Sequence, residues 1–449
     1  MSKPVYERPV IVRHQTGAMN KFGRAQVVSP LTHIDGVATE DLVATYGSPL
    51  FVFSERTLKE RYHDLHNAFA LRYPRVRLAW SYKTNYLGAV CRTFHGEGAW
   101  AEVVSEFEYD KAIQLGVPPE QIHFNGPQKS ESALRKALPG GSIIHIDHFD
   151  ELALAEKVAR DTGVRPGVAI RVNLATDTIP AWSRFGFNLE SGQARDAVAR
   201  VIAGDTLDLI GLHTHLGTFI LDPSAYQQAA FKLAHFANEI RRAFGVTLSF
   251  IDMGGGFASH NTLIGQYLPG DQATPPFARY AEAILAGLGE LAYAPREMPT
   301  LVLETGRALV DDAGHLIATV IANKRLPDGR RAVVLDAGVN VLFTAFWYKH
   351  DVIPAQEARG IAEPTVMYGP LCMNIDVMRD TLQFPPLKVG DRVVFRSVGA
   401  YNVTQWMQFI TYRPPVVMVG AGGKHAVIRR AEDLEAVVSL EQMPAWLRT

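Results

Sequence analysis

The chain has 449 residues, 47% of them hydrophobic and 20% charged, with a formal net charge of −1. This is the composition of a folded globular protein with room for two domains, and it excludes a disordered chain. The near-zero charge leaves no electrostatic footprint for nucleic acid or an anionic membrane. Cys91 and Cys372 are the only cysteines, too few for a disulfide scaffold and suited to a reducing cytoplasm. The start, "MSKPVYERPVIVRHQTG", has no apolar core of a signal peptide. No stretch reaches the roughly 18 apolar residues of a membrane span. The expectation is a cytoplasmic protein.

Residues 1–48 contain short apolar pieces, "PVIV" and "AQVV", between turn residues, and read as short strands. "SPLFVFSERTLKERYHDLHNAFA" gives a strand and then a helix, with Ser54 as N-cap and Leu58 and Tyr62 at helical spacing. From there apolar runs alternate with amphipathic helical segments. The runs are "RVRLAWSYK", "AEVVS", "IHFNG", "SIIHID", "GVAIRVNL", "LDLIGLHTHLG", "LSFIDMGGG" and "TLVLETGRALV". Eight βα units predict a parallel (β/α)8 TIM barrel, with a doubly wound open sheet as the alternative. Beyond about residue 310, "HLIATVIANKRL", "RRAVVLDAG", "DRVVFRSVG", "QFITYRP" and "PVVMVG" predict a mostly β second domain. The predicted organisation is N-terminal strands (1–48) joining the β domain, the barrel (49–310), and the C-terminal β domain (311–449).

Active sites of parallel barrels lie at the C-terminal ends of the strands, and the chemically loaded residues fall there. Lys83 ends the first run. A lysine in such a place is expected to have a lowered pKa and to act as a nucleophile, although most lysines are simply exposed. "GLHTHLGT" places His213, His215 and Thr218 at another end. "IDMGGGF" supplies Gly254, Gly255 and Gly256, whose backbone N–H groups can approach a phosphate, and a tight turn is the plainer explanation. "LVLETGR" supplies Glu304, Gly306 and Arg307, the last either a phosphate partner or a surface salt bridge. His213 and His215 could form an HxH metal pair, but that needs further His and Asp ligands at later strand ends, and those ends are read as offering glycines and Glu304. The preferred reading has no metal, with His213 in the core and His215 stacked on a flat ligand. A lysine, a phosphate cradle, a stacking imidazole and one buried carboxylate together fit pyridoxal phosphate (PLP).

With "YGSPLFVF", "YKTN", "AEVVSEFE", "FNGPQKS", "SRFGF", "HTHLGT", "DMGGGF", "ETGR", "DAGVN", "GPLCMNID" and "GAYN" in this order, the chain resembles the fold-type III PLP-dependent decarboxylases. Within them it looks closer to the diaminopimelate branch than to the ornithine branch. The resemblance implies that Lys83 is the Schiff-base lysine and that His215 stacks on the ring. It implies that Thr218, Gly254, Gly255, Gly256, Gly306, Arg307 and Tyr401 hold the cofactor, mainly at its phosphate, and that Glu304 pairs with the pyridine nitrogen. Cys372 would reprotonate Cα from the other subunit of a homodimer with shared sites. The departures lie in the substrate-reading positions. Where diaminopimelate decarboxylases carry an arginine for the distal carboxylate, this chain has Thr344. Where they carry a glutamate after the cysteine, and ornithine enzymes an aspartate, it has Met373. Tyr348 and Asp376 remain as polar groups, while Phe343, Phe346, Trp347 and Met373 are expected to make the wall apolar. The resulting expectation is a decarboxylase of an amino acid, or amino-acid conjugate, with a larger or neutral far end, as in siderophore or antibiotic assembly. Alternatives are a true diaminopimelate decarboxylase, a racemase (which would carry arginine, not Glu304, at the ring nitrogen) and a non-catalytic regulatory relative.

Overall fold

The computed structural model describes residues 29–358 and 360–448. The pieces "PVIV" and "AQVV" lie outside the described residues. Residues 33–38 form a two-residue hairpin, His33–Ile34 against Val37–Ala38, and the helix Thr39–Tyr46 follows. The next strand, Leu50–Ser54, was expected at the head of the barrel segment. Instead it pairs antiparallel with Gly314–Arg325 and parallel with Val416–Val419. All five of its residues are buried, so it lacks the alternation that would have marked it as belonging to either sheet.

Ser54 caps the helix Glu55–Ala70 by accepting from the Thr57 N–H, and Leu58, Tyr62, Leu65 and Phe69 form its buried face. The eight expected runs are the eight barrel strands: Val76–Ser81, Trp100–Val103, Ile122–Phe124, Ile143–Ile146, Gly167–Asn173, Asp208–His213, Phe250–Asp252 and Thr300–Leu303. Each pairs parallel with the next, and Thr300–Leu303 pairs parallel with Val76–Ser81. That last pairing closes the barrel and excludes an open sheet. The final strand is followed only by the short helix Arg307–Val310. Helix Glu55–Ala70 completes the outer ring in its stead, packing on Gly88–Gly96 and on Phe277–Leu288.

Two layers fill the barrel interior, as the period-2 alternation of strands requires. The lower one is apolar: Ala79, Ile143, Ala169, Phe250 and Val302, with Trp100 against them. Two residues further along the same strands stand Ser81, Glu102, His145, Arg171, Asp252 and Glu304, all buried. Barrel interiors are usually packed with branched aliphatic side chains. Each fully buried apolar side chain contributes about 1.5–3 kcal/mol, whereas a buried ionised group costs free energy unless it is paired. The polar layer is therefore held up by the rest of the barrel, and it lies at the end where the chemistry is expected.

The second domain is built around Gly314–Arg325, which pairs with Leu50–Ser54, Arg331–Leu335 and Arg392–Arg396. The strands Glu363–Tyr368, Val377–Phe384 and His425–Arg429 extend it. It meets the barrel beside Lys83: the Asn85 side chain donates to the Gly399 carbonyl at 3.0 Å, and the Tyr401 N–H to the Thr84 carbonyl at 2.9 Å. No helix among the described residues is long and apolar enough to cross a membrane.

Candidate active site

A cavity of about 450 Å³ opens over the C-terminal ends of the barrel strands, between the two domains. Among the expected site residues that line it are Lys83, His215, Thr218, Gly256, Glu304, Gly306, Arg307, Thr344, Tyr348 and Tyr401. They come from positions up to 318 residues apart (83 to 401), brought together because parallel strands all end on one face.

Lys83 sits on a single 3-10 turn, Tyr82–Thr84, directly after the first barrel strand. Its ammonium donates to both carboxylate oxygens of Glu102, at 2.9 and 2.6 Å. Burial by itself would lower the Lys83 pKa. The Glu102 carboxylate, with Tyr401 and Glu304 behind it, outweighs burial and raises it above the usual lysine value. The lowered pKa expected from the sequence is thus reversed, because a partner one strand away could not be read from the chain. Ser81 donates to Glu102 at 2.5 Å, and Asn125 donates at 3.2 Å. The same Asn125 amide donates to Glu304, so one side chain joins the carboxylate at the lysine to the carboxylate across the site.

His215 half-buries its ring against the cavity. The Gly255 N–H donates to its Nδ1 at 3.1 Å, which leaves the ring proton on Nε2. Burial, reinforced by the positive charges of Lys83 and Arg171, pulls its pKa down to about 3, so the ring is flat and uncharged at neutral pH. The glycines are required by space: a Cβ on Gly255 would stand 2.4 Å from the Glu304 carbonyl oxygen, and one on Gly256 2.3 Å from that of Gly217. A side chain on Gly306 would likewise strike the Thr84 hydroxyl.

Arg307 lies among three aromatic rings, 4.8 Å from Tyr401, 5.0 Å from Tyr348 and 5.8 Å from Phe219. Tyr401 and Phe219 both adopt left-handed backbone conformations, φ 61° and 56°. Each costs about 1–2 kcal/mol for an L-residue and is found where the surroundings impose it. Asp311 is 3.8 Å from Nη1, and the buried Nε and Nη1 of Arg307 have no hydrogen-bond partner among the described residues. A guanidinium with idle donors, beside glycines that keep the backbone bare, fits a phosphate group. The donor set as a whole fits PLP: an amine at one end, idle cationic donors at another, an ionised carboxylate below and a neutral ring at the side.

Five expected site residues take other places. Gly254 and Gly255 lie buried beneath the cavity, where Gly254 N–H donates to Asp252 at 2.8 Å. Asp376, expected to meet substrate, spends its carboxylate on the backbone N–H groups of Val339 and Leu371, both at 2.8 Å. It ties down the loop that carries Cys372 and is outside the cavity. Met373 packs against the core of its own chain, and Cys372 is exposed. Of the aromatic wall, Trp347 lines the cavity. Phe343 and Phe346 do not, because the turn Phe343–Phe346 packs their rings on each other, 5.5 Å apart. Thr344 lines the cavity, but its hydroxyl lies 2.9 Å from the Asn402 side-chain oxygen and 2.8 Å from His350.

The sequence reading missed Glu102, Asn125, Trp182, Phe219, Leu263 and Gln405. Glu102 and Asn125 had a usable signal, a polar residue at the inward parity of an otherwise apolar strand end. Trp182 and Leu263 lie outside the regular elements and Gln405 ends the 3-10 turn Val403–Gln405, and they had none.

A closed parallel barrel with a β domain, and a lysine, cationic cradle and buried carboxylate at its mouth, define a PLP-dependent decarboxylase of fold type III. Residues 55–311 match the family described as pyridoxal-dependent decarboxylase, pyridoxal binding domain, and the chain belongs to that family, on its diaminopimelate branch. It is 30% identical to the diaminopimelate decarboxylase of Bacillus subtilis, covering 95% of this chain and 97% of that protein. It is also 30% identical to that of Archaeoglobus fulgidus, covering 92% and 97%. Among solved structures, diaminopimelate decarboxylase from M. jannaschii in co-complex with L-lysine superposes with a TM-score of 0.85 at 27% identity, covering 94% of this chain and 99% of that one. The chain is a PLP-dependent amino-acid carboxy-lyase.

Proposed function

We propose that the enzyme removes the α-carboxylate of an amino acid whose far end is neutral, larger or conjugated, of the kind met in siderophore or antibiotic assembly. One observation carries this: among the described residues of this chain, the far side of the cavity offers no charged partner. Its charged lining residues are Lys83, Glu304 and Arg307, and all three are required by the cofactor. The rest of the wall is uncharged: it includes the apolar or aromatic Trp182, Phe219, Leu263, Trp347 and Tyr348, with Ser81, Thr344 and Gln405 among its neutral polar groups. Thr344 stands where relatives carry an arginine, and its hydroxyl is already satisfied internally. A carboxylate or ammonium buried there without a partner would weaken binding by several kcal/mol.

In this reading Lys83 holds the cofactor aldehyde. Arg307, Thr218, Tyr401, Gly256 and Gly306 hold its phosphate, and Glu304 faces its ring nitrogen. When bound, PLP supplies the electron sink for the pair left behind as carbon dioxide departs. Glu304 keeps a proton at the ring nitrogen. His215, neutral, covers one ring face and shuts water out. Lys83 receives and returns protons within reach of Glu102. Cys372 lies exposed and outside its own cavity, which supports a homodimer in which Cys372 of the partner subunit donates the proton to Cα.

The test is a side-by-side measurement of kcat/KM for meso-diaminopimelate, lysine, ornithine and amino acids acylated on the distal nitrogen. The acylated series is expected to win. Turnover of diaminopimelate matching that of an ordinary member of the branch would overturn the substrate assignment and leave a diaminopimelate decarboxylase.

A further inference from the structure

Beneath the cavity five titratable side chains meet in the polar layer of the barrel: His123, His145, His213, Asp252 and Glu304, each from a different strand end and each buried. A carboxyl oxygen of Asp252 and one of Glu304 lie within 4.8 Å of each other, close enough for each group to feel the other's charge. Two adjacent buried carboxyl groups cannot both be ionised, so the pair shares one proton.

The hydrogen bonds around the pair decide where that proton sits. Glu304 accepts from the Asn125 amide on one oxygen, and His213 Nε2 stands 3.3 Å from the other. Asp252 accepts only from the Gly254 N–H, on Oδ1. Its Oδ2 is buried and has no donor, and the closest imidazole nitrogen, His123 Nδ1, is 4.0 Å away. Glu304, with a donated amide on one oxygen and an imidazole nitrogen 3.3 Å from the other, is the better place for the negative charge than Asp252, whose nearest imidazole nitrogen is 4.0 Å away. The idle Oδ2 is then explained if it carries the proton and donates it to Glu304. Burial and the Glu304 charge push the Asp252 pKa well up, while for Glu304 burial is outweighed by His213, which holds its pKa well down, in the same direction as the geometry.

The groups facing Asp252 are Glu304, His123, the Gly254 N–H and, further off, Glu102. Burial pushes His123 down to about 4 and His145 lower still, so neither brings a charge that would ionise Asp252. The histidines could be taken for metal ligands, since atoms of His123, His145, Asp252 and Glu304 lie within 4.8 Å of one another. However, His123 Nδ1 and His145 Nε2 are 2.9 Å apart. That is a hydrogen bond with a proton on one nitrogen, not two lone pairs converging on an ion.

We propose that Asp252 is a positioning residue: as a neutral acid it donates a hydrogen bond to Glu304, fixing Glu304 as the ionised member of the pair, aimed into the cavity. The consequence for the cofactor rests on the reading that Glu304 faces the ring nitrogen, whereas the protonation of Asp252 does not.

The two parts are tested separately. Infrared spectroscopy of the native protein at neutral pH should show a protonated carboxyl band that shifts in heavy water and is absent from Asp252→Asn. Absence of that band from the native protein overturns the proposal irrespective of the cofactor. In the holoenzyme, Asp252→Asn can still accept from Gly254 and donate to Glu304. Its bound-cofactor absorption spectrum should stay independent of pH across the neutral range, with PLP affinity close to native. Asp252→Leu lacks the donor and should show a pH-dependent spectrum and about a tenfold loss of PLP affinity. A Leu variant native in both readouts overturns the positioning role. So does a folded Asn variant that behaves like the Leu one. If the Leu variant fails to fold, the spectrum of the Asn variant and the infrared band decide.

Discussion

Replacing Glu102 with glutamine should shift the pH at which the empty enzyme takes up its cofactor. The lysine must be a neutral amine to attack the aldehyde. In the native protein Glu102 holds it as an ammonium through contacts of 2.6 and 2.9 Å. A hydrogen bond to a charged group contributes about 1.5–3 kcal/mol. The Lys83 side chain is 35% exposed, to the cavity, which places the pair at about the lower end of that range because water screens it. At about 1.4 kcal/mol per pH unit, losing the carboxylate should lower the Lys83 pKa by about one unit, with burial then unopposed. The sign is fixed: a raised pKa keeps the amine protonated to higher pH, so native uptake accelerates as pH rises, and Glu102→Gln moves that rise to lower pH. The assay is the rate of PLP uptake by apoprotein, followed by absorbance over a pH series. Superimposable profiles for the two proteins would refute the role given to Glu102.

Borohydride reduction of the holoenzyme and peptide mapping should find the pyridoxyl label on Lys83, and a label elsewhere removes that lysine from the mechanism. Glu304→Gln should retain PLP but lose about a hundredfold in decarboxylation, roughly 3 kcal/mol of stabilisation developed mainly in the transition state. Near-native turnover would show that Glu304 is not the group at the ring nitrogen. Lys83→Ala and Cys372→Ala should each be nearly inactive alone, and after subunit exchange should recover at most about a quarter of native activity, as two-fold shared sites require. No recovery despite demonstrated exchange would place the whole site within one chain.

Strand periodicity and the residues at strand ends pointed to the barrel and gathered most of its cavity, while its closure was decided by the pairing of the last strand with the first. Eight apolar runs, each followed by an amphipathic segment, can bury their faces only as a parallel sheet wrapped in helices. Parallel connection puts every strand's C-terminal end on one face, so Lys83, His215, Glu304 and Arg307 could be gathered without knowing a single distance. The assignment of Leu50–Ser54 to the β domain was decided by tertiary structure, since a strand buried on both faces has the same pattern in either sheet. The charge state of Lys83 was decided there too, because its pKa depends on Glu102, which is adjacent only once the first two strands pair. The same holds for Asp376. Its sequence neighbourhood marked it for substrate, but its carboxylate is taken by two backbone N–H groups that the fold brings to it. Local pattern records which face of an element is buried, while partnership between side chains distant in sequence exists only after the chain has closed on itself.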